Sequence, residues 1–152
     1  MEKIASFTVD HTKLKEGVYV SRLDGDIVTY DLRMRKPNTG DLLSNAVMHS
    51  FEHMFATLVR NSSMGERVIY FGPMGCQTGF YLLLRSDDSE AALTLIKKVL
   101  VEIITYEGKM PGASREECGN YINLSVQAAK DEAERYYEKI KDLTVADMIY
   151  EG

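Results

Sequence analysis

The sequence is poor in cysteine, proline and histidine, and it has no tryptophan. Its 152 residues include 2 cysteines, 3 prolines and 3 histidines. Two cysteines are too few for a disulfide framework, so we expect Cys76 and Cys118 to be free thiols that each need their own explanation. No stretch is rich enough in proline, glycine or serine to form a linker, and no internal repeat is present. We therefore expect one domain over residues 1–152.

Long apolar runs and basic clusters are also absent. No stretch approaches the roughly 18 apolar residues of a transmembrane helix, and the N-terminal residues lack the apolar region of a signal peptide. The chain has 18 Lys and Arg against 23 Asp and Glu, a formal net charge of −5. This balance argues against binding to a nucleic acid backbone, and no glycine-rich nucleotide motif is present. We expect a cytoplasmic protein that binds neither membrane nor nucleic acid.

Apolar alternation predicts two pairs of strands. Residues 17–35 alternate on both sides of Asp24-Gly25, which predicts a β-hairpin. Residues 67–71 and 78–85 are β-branched, aromatic or aliphatic and flank a glycine-rich loop, which predicts a second pair.

Three segments have the spacing or the end signals of helices. Apolar residues recur at helical spacing over 41–61, and a second helix is predicted from N-cap candidates at 87–89 to Tyr106. A capping-box pattern at Ser114 opens a helical region that runs to about residue 142, with Asn120 as a second candidate start. Hairpins followed by helices favour an α+β fold, an antiparallel sheet packed against helices.

The first predicted helix carries His49-Ser50-Phe51-Glu52-His53. Two imidazoles four residues apart lie on one helix face and can chelate one divalent ion, with Glu52 beside them to move protons or orient a histidine. The rival interpretation is that the two histidines share a helix face by chance and bind no metal. The H-x-x-E-H pattern also occurs in inverted zinc proteases, so a small metallohydrolase is one alternative.

A third ligand is needed, and the candidates are Cys118, Glu116, Glu117 and His11. Cys118 is favoured because thiolate binds zinc and iron well. A structural zinc-binding module is the other alternative, with a fourth protein ligand such as Glu117 closing the site. The second thiol, Cys76, lies in a glycine-flanked loop, where it is either a reachable thiolate or a buried residue that begins a strand.

Five ordered motifs resemble one enzyme family, the S-ribosylhomocysteine lyases (LuxS). The motifs are Ser6-Phe7 with Asp10-His11-Thr12, Asp31-Leu32-Arg33 with Pro37-Asn38, His49-x-x-Glu52-His53, Pro73-Met74-Gly75-Cys76-Gln77-Thr78-Gly79-Phe80, and Glu117-Cys118-Gly119-Asn120-Tyr121. The resemblance runs nearly from end to end. It implies a carbon–sulfur lyase that cleaves S-ribosylhomocysteine to homocysteine and 4,5-dihydroxy-2,3-pentanedione, the autoinducer-2 precursor used in quorum sensing and formed in the methyl cycle.

The same resemblance implies roles for particular residues. His49, His53 and Cys118 would hold one Fe(II) per subunit, replaceable by Zn or Co, and Glu52 and Cys76 would be the acid/base residues. Ser6, His11, Arg33 and Arg60 would bind substrate. It also implies a homodimer with shared active sites, in which Ser6, His11 and Arg33 lie across from the partner's metal.

Two segments depart from the family pattern. Tyr70-Phe71-Gly72 stands where several members carry Asp-Ile-Ser, and the segment from Gly17 to Ile27 is shorter than the glycine-rich, basic loop expected there. A substrate contact from an Asp side chain is therefore not expected at Tyr70.

Overall fold

Two β-hairpins combine into one antiparallel sheet in the computed structural model, which describes residues 1–151. The strands and helices are β1 (Gly17–Asp24), β2 (Ile27–Arg33), α1 (Asn45–Arg60), β3 (Val68–Pro73), β4 (Gly79–Leu84), α2 (Ser89–Ile104) and α3 (Val126–Ile140). The 4-stranded sheet has the order β1-β2-β4-β3, with every neighbouring pair antiparallel. The predicted α+β class with an antiparallel sheet packed against helices is confirmed.

The two faces of the sheet have different chemistry. Tyr30 and Leu32 of β2 are fully buried in the apolar core with residues of the helices. Because successive strand residues point to opposite faces, Asp31 and Arg33 project from the other side of the sheet. There Asp31 lies between its strand neighbours Tyr19 and Tyr81.

An aromatic cluster fixes α1 against the sheet. The ring of Phe55 on α1 stacks on Phe71 of β3 with centroids 4.4 Å apart, and Phe71 stacks on Phe80 of β4 at 4.8 Å. The buried residues of α1 include Phe51 and Phe55 at positions i and i+4, so the helix turns its apolar stripe toward the sheet. His49, Glu52 and His53 are consequently half-buried at the border of this stripe.

Helix α1 begins four residues later than predicted, at Asn45 rather than 41. Ser44 is the N-cap, and its hydroxyl accepts the Val47 N–H at 3.2 Å. The preceding residues are held extended, because Leu43 N–H donates to the backbone oxygen of Gln77 at 2.9 Å and the Gln77 side chain donates to Leu43 O at 2.8 Å. Helix α2 agrees with its predicted start, since Asp88 is its N-cap, and it ends at Ile104.

The predicted helix from Ser114 is wrong over its first part. The capping contacts do form, because Glu117 N–H donates to Ser114 Oγ at 3.2 Å and Ser114 donates to Glu117 Oε1 at 2.6 Å. From Ser114 the chain makes a series of turns, the last of them a short 3-10 turn at Tyr121–Asn123, before α3 starts after its N-cap, Ser125. The irregular path is what carries Cys118 to the surface of α1.

No helix in residues 1–151 combines the length and apolarity needed to cross a lipid bilayer.

Candidate active site

His49, His53 and Cys118 form the most distinctive cluster of the fold. One ligand atom from each residue lies within 4.8 Å of the others. Cys118 Sγ is 3.3 Å from His49 Nε2 and 3.7 Å from His53 Nε2. The two imidazole rings are nearly perpendicular, at 88°, with centroids 4.6 Å apart. Residues 69 positions apart in the chain, His49 and Cys118, are thus brought together by the fold.

Each imidazole has its Nε2 near Cys118 and a hydrogen-bonding partner at its Nδ1, and this partner orients the ring. His53 Nδ1 lies 2.9 Å from the carbonyl oxygen of Pro111. A carbonyl can only accept, so Nδ1 carries the proton and Nε2 presents its lone pair toward Cys118. His49 Nδ1 lies 2.6 Å from Asn123 Oδ1, and the amide of Asn123 donates to Asn45 Oδ1 at 2.9 Å.

The backbone also approaches this centre closely. Gly112 follows Pro111 with a φ of +68°, and a Cβ at Gly112 would lie 3.1 Å from His53 Nδ1. Cys118 Sγ accepts the Asn120 N–H at 3.5 Å, a contact that holds the sulfur beside the backbone. Two imidazole lone pairs and one thiolate fit Fe(II), Zn and Co equally well, and the donor set is therefore compatible with the predicted metal.

The other candidate third ligands lie outside the cluster. Glu117 is hydrogen bonded to Ser114, and His11 Nδ1 lies 2.9 Å from Val9 O in the N-terminal segment. Neither these residues nor Glu116 belongs to the cluster, and within residues 1–151 no fourth His, Cys, Asp or Glu completes it. A structural site closed by Glu117 would require Glu117 among the clustered side chains, and it is not among them.

Glu52 borders two cavities next to the cluster. One, of about 390 Å³, includes Glu52, His53 and Arg60 in its lining, and the other, of about 280 Å³, includes Glu52 and His49. Arg60 is exposed at the end of α1 and donates to the backbone oxygens of Val68 and Ile69 at 3.3 and 3.2 Å. The carboxylate of Glu52 is therefore reachable from the space beside both histidines.

Cys76 occupies a separate position, beside Arg33. Its side chain is exposed, which contradicts the alternative of a buried cysteine at the start of a strand. Arg33 Nη1 is 4.0 Å from Cys76 Sγ. The Arg33 side chain is 3% exposed, and its Nη2 donates to Asp31 Oδ2 at 2.7 Å. Burial opposes the charge of Arg33, but Asp31 outweighs it and holds the pKa of Arg33 above its ordinary value. Cys76 thus faces a fixed cation of its own chain.

Neither cavity beside the metal-ligand cluster includes Cys76, Arg33, Ser6 or His11 in its lining. Ser6 lies in a short 3-10 turn, Ala5–Phe7, with no buried residues. The predicted site residues therefore lie in three places in this chain: at the histidines, at the Cys76 and Arg33 pair, and in the N-terminal segment that carries Ser6 and His11.

Sequence reasoning missed the residues that support the histidines and the Cys76 and Arg33 pair. Asn123, Asn45 and Pro111 orient the histidines, while Thr78 and Tyr150 contact the Arg33 and Asp31 pair. Thr78 stood inside a quoted motif, but Asn123, Pro111 and Tyr150 gave no sequence signal, because their contacts join distant parts of the chain.

Comparisons with known proteins show the family to which the chain is similar. The model of the family described as S-ribosylhomocysteinase (LuxS) matches residues 4–146. A protein named S-ribosylhomocysteine lyase from Desulfotalea psychrophila is 47% identical over 93% of both chains. Proteins of the same name from Borreliella burgdorferi and Clostridium beijerinckii are 41% and 43% identical over 99% of both chains.

Proposed function

The chain belongs to the S-ribosylhomocysteinase (LuxS) family, and from that premise we propose that it cleaves S-ribosylhomocysteine, with His49, His53 and Cys118 as metal ligands and Glu52 and Cys76 as its acid/base residues. The products are homocysteine and 4,5-dihydroxy-2,3-pentanedione, the precursor of autoinducer-2. The enzyme is a carbon–sulfur lyase.

The chemistry of the substrate explains why two proton-transfer groups are required. The thioether is on C5 of an open-chain aldose, and elimination across C4 and C5 needs a carbonyl at C3. The carbonyl therefore moves from C1 to C2 and then to C3. Each move takes a proton from a carbon and an oxygen and returns protons to their neighbours. In the elimination a proton leaves C4, the C5–S bond breaks, and the sulfur of homocysteine takes up a proton. The enol that remains across C4 and C5 then loses its hydroxyl proton and gains one at C5, which gives the diketone.

A bound divalent cation would supply Lewis-acid stabilisation of the negative charge that develops on the substrate oxygens. The residues of the chain supply the rest. Glu52 lines both cavities that include a histidine of the cluster, where its carboxylate can take a proton from oxygen or carbon. Arg60 lines the same cavity as Glu52 and His53 and offers a cation to an anionic part of the substrate.

Cys76 is suited to carry the other protons. Its side chain is exposed, so substrate can reach it, and its sulfur lies 4.0 Å from the Arg33 guanidinium. A group that first accepts and then returns a proton typically contributes about 10² to 10⁴ in rate. Glu52 and Cys76 thus divide the proton transfers between two groups.

We propose a homodimer with shared sites, in which Cys76, Arg33, Ser6 and His11 of one subunit face the metal ligands of the other. Cys76 and Arg33 lie together in the chain, and neither lines the two cavities beside the histidines, which supports this arrangement. The N-terminal segment supports it too, because Ile4 and Phe7 on either side of Ser6 are 58% and 67% exposed. A two-fold axis would duplicate the shared site automatically.

The cofactor we propose is Fe(II), one per subunit, with Zn or Co able to replace it. Ligand type does not choose among these ions, so the choice of Fe(II) follows the family resemblance. A cytoplasmic location is proposed for the same protein, because both cysteines are free and their roles need reduced thiols.

The observation that carries this proposal is the His49–His53–Cys118 cluster, which no fourth protein ligand joins among residues 1–151. The test is anaerobic incubation of the Fe(II)-loaded protein with S-ribosylhomocysteine and titration of the released thiol. Cys118→Ala should lose both metal and thiol release, whereas Cys76→Ala should keep the metal and lose thiol release. Metal loss in Cys76→Ala with retention in Cys118→Ala would reverse the two assignments, and no thiol release by the wild type would refute the activity.

A further inference from the structure

We propose that Thr78 is a positioning residue for Cys76, and that its hydroxyl holds the sulfur in place in both protonation states. The inference rests on the proposed role of Cys76 in proton transfer. Thr78 Oγ1 lies 3.0 Å from Cys76 Sγ and 2.8 Å from Arg33 Nη1. The threonine side chain is thus situated between the guanidinium and the thiol, which are themselves 4.0 Å apart.

The backbone brings these side chains together at an unusual residue. Gln77, between Cys76 and Thr78, has a φ of +64°, a left-handed conformation that a residue with a side chain adopts at an energetic cost. Three hydrogen bonds hold it there. Gln77 N–H donates to Met74 O at 3.0 Å, and the remaining two join Gln77 to Leu43, through its backbone oxygen and its side-chain amide.

The direction of the hydrogen bonds follows from what each group can donate. Arg33 is only a donor, so Thr78 Oγ1 must accept from Arg33 Nη1. Thr78 keeps one proton and one lone pair, and its sole remaining side-chain neighbour in hydrogen-bonding reach among the described residues is Cys76. The Thr78 side chain is also buried, at 3% exposure for the residue, so water does not readily take that place.

This arrangement suits a group whose charge changes. When Cys76 is a thiol, its S–H can donate to the free lone pair of Thr78. When Cys76 has given its proton to substrate, the Thr78 O–H turns to donate to the thiolate. Arg33 strengthens this second bond because a hydroxyl that accepts from a cation is a better donor. The sulfur thus keeps one partner through the whole proton transfer.

The Arg33 guanidinium is held in place by a second partner, Asp31. Its Nη2 donates to Asp31 Oδ2 at 2.7 Å, and the same oxygen accepts the hydroxyl of Tyr150 at 2.6 Å. Asp31 is fully buried and Arg33 is 3% exposed, so the pair has little freedom to turn. Thr78 therefore connects Cys76 to a fixed cation.

The test compares Thr78→Val, which has the same shape without the hydroxyl, with Thr78→Ser, which keeps the hydroxyl. The readout is the rate of iodoacetamide alkylation of Cys76 near neutral pH, with the labelled peptide identified by mass. Alkylation reports the thiolate and needs neither metal nor substrate. We expect Thr78→Val to react about tenfold more slowly, the size usual for a lost hydrogen bond to a charged group, and Thr78→Ser to react within about twofold of the wild type.

Thr94→Val on the exposed side of α2 is the matched control, and it should react at the wild-type rate. A wild-type rate in Thr78→Val, or a slow rate in Thr78→Ser, would overturn the inference. Should Thr78→Val not fold, Raman spectroscopy of the metal-loaded wild type replaces it. Cys118 is then a ligand, and the single S–H band belongs to Cys76. A band at lower frequency than that of a free thiol supports the contact with Thr78, and a band at the free-thiol frequency contradicts it.

Thiol release by Cys76→Ala distinguishes this inference from the proposed function. Full turnover in Cys76→Ala would remove Cys76 from the reaction, and the alkylation rates would still decide whether Thr78 acts on its sulfur. Inactive Cys76→Ala together with normal alkylation in Thr78→Val would keep the proposed function and reject the role of Thr78.

Discussion

The Nδ1 atom of His49 lies 2.6 Å from the Oδ1 atom of Asn123, a residue 74 positions further along the chain. An asparagine can turn either its oxygen or its nitrogen toward a histidine. In the structure the oxygen faces His49, and the Asn123 amide nitrogen donates to Asn45 Oδ1 at 2.9 Å. With the two amides in these orientations, His49 Nδ1 carries the proton and Nε2 is free to bind a cation.

We expect Asn123→Leu to weaken metal binding by about 10- to 100-fold, the range for lost partners of ligating histidines. Competition with a chromophoric chelator for Zn or Co measures the affinity. Asn61→Leu, which alters an exposed asparagine just after α1, is the control. Equal affinity in wild type and Asn123→Leu would show that His49 needs no outside partner.

Glu52→Gln should lower kcat by at least about 10², because it keeps the shape of the side chain and removes the carboxylate that moves protons. Metal content should remain near one ion per chain, since Glu52 is outside the ligand cluster. Steady-state thiol release and elemental analysis of the same sample check both statements. If Glu52→Gln kept the wild-type kcat, Glu52 would not transfer protons, and its remaining role would be to orient a histidine.

Mixed dimers test whether the active site is shared. Cys76→Ala and Glu52→Gln are expected to be inactive alone, and mixing them after reversible dissociation should restore about a quarter of wild-type activity. The estimate follows because half of the dimers are mixed and each has one intact site of two. Absence of recovery, with heterodimers demonstrated, would place Glu52 and Cys76 in the site of the same chain.

The structure supplies a control for the mixing experiment. Arg33 Nη1 is 4.0 Å from Cys76 Sγ in one chain, so Cys76→Ala and Arg33→Ala damage the same half of each site. Their mixed dimers should regain no activity, because one of the two sites lacks Cys76 and the other lacks Arg33. A monomeric protein in solution would contradict the shared-site proposal directly.

We predict that Tyr150 makes the free energy of unfolding decrease at alkaline pH. Burial, followed by the charge of Asp31, holds the pKa of Tyr150 well above its ordinary value, so the native state retains a proton that the unfolded chain releases above about pH 10. The stabilisation due to the hydroxyl is complete below that pH and decreases as the pH rises above it. Tyr150→Phe should cost about 1 to 3 kcal/mol near neutral pH, the range for a lost hydrogen bond to a buried charged group, and less above pH 10.

Urea unfolding at neutral and alkaline pH measures this difference. Tyr106→Phe is the control, because the Tyr106 hydroxyl donates to Lys109 O in an exposed contact. A difference between wild type and Tyr150→Phe that stays constant or grows above pH 10 would contradict the assignment. Tyr136 also has a pKa raised well above its ordinary value by burial, so the variant should remove only part of the alkaline sensitivity.

The sheet and the ligand-bearing helix could be predicted, because each is specified by residues close together in the sequence. Alternation places Tyr30 and Leu32 on one face, and the spacing of His49 and His53 places both rings on one side of a helix. The path from Ser114 to Asn123 could not be predicted in the same way. Its capping box is real, but the contacts of Cys118 with α1 determine where the chain goes next. Thr78 likewise matters through Arg33, 45 residues away in the chain.

The two cysteines of the chain stand one in each half of the proposed site, and neither has a structural disulfide to maintain. A thiol-reactive reagent can therefore modify only residues of the proposed site, and no cysteine has to be introduced by mutation. A fluorophore or spin label on Cys76 would report substrate arrival, and a chelator that frees Cys118 would raise the number of modifiable thiols from one to two per chain. The wild-type protein can thus be labelled specifically at its proposed site, because it has no cysteine elsewhere that would have to be replaced first.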